Sequence, residues 1–83
     1  MNETVNIIGL GYIGLPTALA FAQAGVDVVG TDIDTEKITK LTHGEVTFEE
    51  KGLEELFRRA HAHIHFTDKP VPAEIYIVTA GTP

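Results

Sequence analysis

The sequence predicts an α/β fold in which three parallel strands alternate with helices as βαβαβ, in sheet order 3-2-1. Three observations lead there. A short apolar run, Val5 to Ile8, opens onto three glycines, Gly9, Gly11 and Gly14, and an apolar helical pattern follows. A second strand-like run, Val26 to Thr31, comes directly after that helix and ends in Asp32. A third, Ile75 to Thr79, lies beyond two further helical segments. Strands that alternate with helices need right-handed crossovers, and these give a parallel sheet. This is the size and order of one half of a Rossmann-type, doubly wound fold.

Each element has a local reason. Thr4 to Ile8 is rich in residues that suit a buried strand. The first helix is expected over Tyr12 to Ala24, through Ala18, Leu19, Ala20 and Phe21, and Gly25 stops it. Pro16 fits its first turn, where an N–H has no intrahelical acceptor. The second strand is expected over Asp27 to Asp32. Asp34 caps a short helix carrying Ile38 and Leu41, which Gly44 ends. Glu45 to Lys51 reads as a loop. Leu53, Leu56, Phe57 and Ala60 recur at i, i+3, i+4 and i+7, one apolar stripe of a third helix. A minor strand is expected around Ile64 to Phe66, then a proline-marked loop from Lys69 to Pro72.

The glycines carry the functional signal. Gly9 suits a tight turn, and Gly11 lets the main chain approach a phosphate with no side chain between. Gly14 lets the helix lie close on the strand it has left. The helix start near Tyr12 and Ile13 then points N–H groups at an anion. Glycines alone could reflect close packing. Asp32, eighteen residues after Gly14, favours a dinucleotide site, because an acidic residue there meets the adenosine ribose hydroxyls.

Composition excludes several classes. The 83 residues make one small domain or part of one, and no apolar run approaches the ~20 residues of a membrane span. Twelve acidic and six basic residues give a net charge of −6, which argues against nucleic-acid and anionic-membrane partners. Without cysteine there is no disulfide framework, thiolate metal site or thiol nucleophile. Nothing reads as a secretion signal, so a cytoplasmic location is expected.

His61, His63 and His65 alternate, so on a strand they would share one face and could hold zinc or nickel. The alternative is that Ile64 and Phe66 pack inward while the histidines face solvent. No carboxylate or cysteine stands beside them at ligand spacing, which favours packing. No residues pair a nucleophile with a base, so catalytic residues are expected to be absent.

The run Gly9-Leu-Gly-Tyr-Ile-Gly-Leu-Pro16 resembles the N-terminal signature of the UDP-glucose/GDP-mannose dehydrogenase family, in its UDP-N-acetyl-hexosamine dehydrogenase-like form. Thr31-Asp-Ile-Asp34, Lys37, Gly44 with the acidic stretch after it, and Gly52-Leu53-Glu-Glu-Leu56 resemble the segments that follow. Ala73 to Pro83 resembles the family's next strand, with Ala80-Gly81-Thr82-Pro83 where a proline usually precedes the threonine.

The resemblance implies NAD as cofactor and, in an intact enzyme, two oxidations of a nucleotide-sugar C6 alcohol to a carboxylate. By position, Tyr12 and Ile13 would offer N–H groups to the pyrophosphate. Asp32 would hold the adenosine ribose with Lys37 nearby, and Thr82 would lie along the cofactor. Family members run several hundred residues and carry their catalytic cysteine, lysine and sugar-binding residues far downstream. Residues 1–83 are therefore expected to be an NAD-binding N-terminal portion of a longer enzyme, inert alone, with nucleotide sugar bound only in the full-length parent. Two alternatives are a free-standing NAD- or adenine-nucleotide-sensing module and a folded fragment with no useful affinity.

A homodimer is also expected. In the order 3-2-1 every helix lies on one face, leaving apolar side chains on the other and the first strand with an open edge.

Overall fold

A computed structural model describes residues 3–69 and 71–79. Four strands form one parallel sheet: β1 (Thr4–Ile8), β2 (Asp27–Thr31), β3 (Ile64–Thr67) and β4 (Ile75–Val78). Their order is β3-β2-β1-β4. The helices are α1 (Gly14–Gln23), α2 (Thr35–Thr42) and α3 (Leu53–Ala60), with a 3-10 turn at His61–His63.

The α/β class, the parallel sheet and the order of its first three strands are as expected. The identity of the third strand is not. The minor run at Ile64 is β3 and pairs with β2, Val28 opposite Ile64. The run expected to be third is β4 and pairs with β1, Val5 opposite Ile75 and Ile8 opposite Val78. The open edge expected at β1 is therefore absent, because β4 occupies it.

Crossover handedness explains the arrangement. Successive steps from β1 to β2 to β3 put their helices on one face. The chain then reverses direction to reach β4, so residues 71–74 come in on the opposite face. There the Asn6 side chain, 1% exposed, donates to the Val71 carbonyl at 3.2 Å and accepts from the Thr31 hydroxyl at 2.7 Å. A polar side chain this deep is retained because both of its ends are paired.

The helix-covered face holds the core. Val5, Ile7, Val28 and Ile64 of the sheet meet Leu15, Ala18, Leu19 and Ala22 of α1, Ile38 and Leu41 of α2, and Leu53, Phe57 and Ala60 of α3. The predicted stripes of the second and third helices are thus the buried ones. The Asp34 carboxylate caps α2 by accepting the Lys37 N–H at 3.1 Å. Gly25, at φ 93°, ends α1 as expected. The start of α1 is later than expected, at Gly14 instead of Tyr12, because Gly11 to Ile13 form the turn that leads into it.

The histidines do not share a face. His61 and His63 lie in the 3-10 turn, and His65 alone is on β3. Ile64 is buried and Phe66 packs on the core, while His65 is exposed, in agreement with the packing reading. The His61 ring stacks on Phe57 with centroids 4.8 Å apart. No group of three His, Cys, Asp or Glu side chains among the described residues could hold a metal ion.

Candidate functional site

The carboxyl ends of β1 and β4 lie side by side where the strand order reverses. Open α/β sheets bind ligands in the crevice outside such a point. The glycine turn emerges there. Gly9 takes φ 98°, which a side chain would resist, and its N–H donates to the Thr31 carbonyl at 2.8 Å. Gly14 packs on the turn itself. A Cβ added to it would overlap the Gly9 carbonyl oxygen and lie 2.5 Å from Thr79 Oγ1. Beside Gly11, by contrast, an added Cβ would meet nothing within 4 Å.

One side of the turn is thus closed by packing and the other is open. Tyr12 and Ile13 stand on the open side, 74% and 67% exposed. Among the described residues, the N–H groups of Gly11, Tyr12 and Ile13 have no acceptor. They sit at the N-terminus of α1, where the helix dipole favours an anion. The Tyr12 ring rests on Phe48, with centroids 4.7 Å apart, so the loop between α2 and α3 borders the turn.

Asp32 follows β2 and closes the other wall. Its Oδ2 accepts the Leu10 N–H at 2.9 Å and its Oδ1 accepts the Asp34 N–H at 3.0 Å. Lys37 Nζ lies 3.1 Å from Oδ2, with the two side chains 26% and 10% exposed. Burial pushes the Asp32 carboxyl up, but the N–H groups of Leu10 and Asp34 and the Lys37 ammonium outweigh it. The net effect holds Asp32 below its ordinary value of 3.8, so it is a carboxylate at neutral pH.

The structure brings Gly9, Gly11, Tyr12, Ile13, Gly14, Asp32 and Lys37 to one end of the sheet. Thr82 lies outside the described residues. Thr79 is a site-bordering residue that sequence reasoning missed. Its hydroxyl donates to the Gly9 carbonyl at 2.6 Å, from the strand on the far side of the crevice. The available signal was its place at the end of an apolar strand, although only the β1–β4 pairing makes that place informative.

A wide depression lined by Gly44, Glu45, Phe48, Glu54 and His61 runs along the loop between α2 and α3. It contains none of the glycine-turn residues.

Residues 3–83 match the model of the UDP-glucose/GDP-mannose dehydrogenase family, NAD binding domain. The chain belongs to this family. In the family this domain carries NAD, the cofactor expected from the sequence. The cradle fits it: an open face at Gly11, N–H groups without an acceptor among the described residues at the start of α1, and a carboxylate at the end of β2.

Relatives of this family member include the UDP-N-acetyl-D-mannosamine dehydrogenase of Salmonella typhi, 38% identical over 96% of this chain and 20% of its own length. The protein of the same name from Methanococcus maripaludis is 38% identical over 98% of this chain and 19% of its own. The chain thus spans about one-fifth of the length of these curated relatives. Among solved structures, the UDP-N-acetyl-mannosamine dehydrogenase of S. aureus matches with a TM-score of 0.91 at 37% identity, covering 98% of this chain and 20% of that one. A ternary complex of the Pseudomonas aeruginosa GDP-mannose dehydrogenase matches at 0.81 and 27%, over 95% and 20%.

Proposed function

We propose that this chain is the NAD-holding part of a UDP-sugar 6-dehydrogenase and catalyses nothing alone. The observation that carries the reading is the pairing of a preformed glycine turn with a half-buried carboxylate 22 residues beyond Leu10, in a chain of this family. When bound, NAD supplies a hydride acceptor for oxidation of an alcohol.

The chain's own residues bind and orient. The open side of Gly11 admits the pyrophosphate, and the Tyr12 and Ile13 N–H groups hold it by charge-assisted hydrogen bonds. Asp32 accepts hydrogen bonds from the adenosine ribose, and the N–H groups of Leu10 and Asp34, with the Lys37 ammonium, favour its ionised form.

Nothing here takes the alcohol proton, and no cysteine is present to carry an acyl intermediate. The sugar therefore belongs to a longer parent, of which residues 1–83 form the N-terminal NAD-binding domain, and the expected location is the cytoplasm. No helix among the described residues is long and apolar enough to cross a membrane.

Self-association belongs to the same proposal, by one of the two routes expected from sequence, the sheet face that the helices leave bare. β1 has no free edge, but β4 ends the sheet. Tyr76 and Val78, 52% and 67% exposed, face away from the helices. A second copy covering them would form a homodimer.

NADH formation tests the inert reading. With NAD and a panel of UDP-sugars, no turnover should scale with protein concentration. Turnover that does scale, in clean preparations, would overturn it.

A further inference from the structure

We propose that Thr79 is a positioning residue for the nucleotide site, holding the glycine turn in its binding shape through the Gly9 carbonyl. The inference rests on the NAD-binding reading and adds a residue from across the crevice.

Gly9 is held from both sides. Its N–H donates to Thr31 at the end of β2 at 2.8 Å, and its carbonyl accepts from Thr79 Oγ1 at 2.6 Å. The same hydroxyl lies 3.3 Å from the Ile8 carbonyl, which also accepts the Thr79 N–H at 2.8 Å. The residue after β4 is thus tied to the last residue of β1 and the first of the turn. No other donor reaches the Gly9 carbonyl among the described residues.

That carbonyl cannot easily find a substitute. Gly9 is buried, and its oxygen is pressed against Gly14, where an added Cβ would overlap it. A buried acceptor that loses its donor bears the full desolvation penalty. The turn can relieve this only by shifting until water reaches the oxygen. A shifted turn re-aims the N–H groups of Gly11, Tyr12 and Ile13. An anion gains fully from those donors only if they are placed before it arrives.

Thr79 therefore acts on the cofactor without touching it. Its hydroxyl serves the turn, while the open side at Gly11 receives the ligand.

The test compares Thr79→Val, Thr79→Ala and Thr79→Ser in the full chain, by NAD calorimetry and by backbone amide exchange without nucleotide. Val keeps the shape and removes the donor, Ala removes both without crowding the crevice, and Ser restores the donor. Val and Ala should weaken NAD binding about five- to tenfold, and Ser should stay within about twofold of the parent.

Exchange at the Gly9 and Leu10 N–H groups should quicken in Val and Ala, with Val28 and Val29 in mid-sheet unchanged. Val binding NAD as the parent does, or Ser failing as Val does, would overturn the inference. If the parent chain takes up no NAD, the functional reading fails by itself and exchange alone decides this one. Unchanged protection at Gly9 and Leu10 in Val and Ala would then overturn it.

Discussion

The Asp32 carboxylate accepts the Leu10 N–H at 2.9 Å, which joins the acidic residue after β2 to the glycine turn after β1. The residue proposed to meet the ribose thus also braces the loop proposed to meet the phosphates. On the proposed reading, charge at Asp32 serves the fold and the ligand together, and the two roles separate by pH and by substitution.

Stability should carry the mark of Asp32 in acid. Its folded pKa is depressed, so its contribution is complete above the ordinary value of 3.8 and is lost as pH falls through the folded value below that. Asp32→Asn should lower stability at neutral pH by about 1–3 kcal/mol, the effect of losing hydrogen bonds to a charged group. Below pH 3.8 the gap to the parent should narrow. Urea midpoints across the acid range check this, and a gap independent of pH would contradict it.

Cofactor preference should favour NAD over NADP. On the proposed reading the Asp32 carboxylate accepts from ribose hydroxyls and repels a 2′-phosphate, and Lys37 beside it is already paired with it. Asp32→Ala should weaken NAD binding by about 1–3 kcal/mol. Calorimetry showing NADP bound as tightly as NAD would count against the site.

The two inner glycines should part company when each is changed to alanine. Gly14→Ala forces a Cβ into the Gly9 carbonyl and should destabilise the fold by about 1–3 kcal/mol. Gly11→Ala meets open space and should leave stability within about 0.5 kcal/mol. Its methyl occupies the phosphate's approach, so NAD affinity should fall. Thermal unfolding beside NAD titration separates the two effects, and equal loss of stability in both variants would refute the packing account.

The parts of the fold decided locally were the legible ones. Asp34 caps α2 and Gly25 ends α1 because capping needs only neighbours along the chain. Leu53, Phe57 and Ala60 showed their buried face by spacing alone. What stayed hidden depends on pairing between distant strands. β3 has four residues, with His65 exposed and Thr67 partly so, a weak period in a short run at the sheet edge. The apolar run of β4 looked the better third strand. Only the approach of residues 71–74 on the opposite face puts it beside β1, and with it Thr79 beside Gly9. Asn6 was overlooked because a lone polar residue in a strand signals nothing until its partners, Thr31 and Val71, are placed.

Self-association should follow from the sheet surface left uncovered by the crossing segment. Light scattering after size exclusion should give about twice the 9.0 kDa chain mass at tens of micromolar. Replacing Val78, 67% exposed, with Lys should restore the monomer. A parent chain that stays monomeric at millimolar concentration would remove the dimer from the account.

The most direct test of the central claim is an amide chemical-shift titration of the chain with NAD. The account predicts saturable shifts concentrated at Gly11 to Gly14 and at Asp32 to Asp34, with the exposed amides of α3 unmoved. Shifts that are absent at millimolar NAD, or that gather along the loop between α2 and α3 instead, would contradict it.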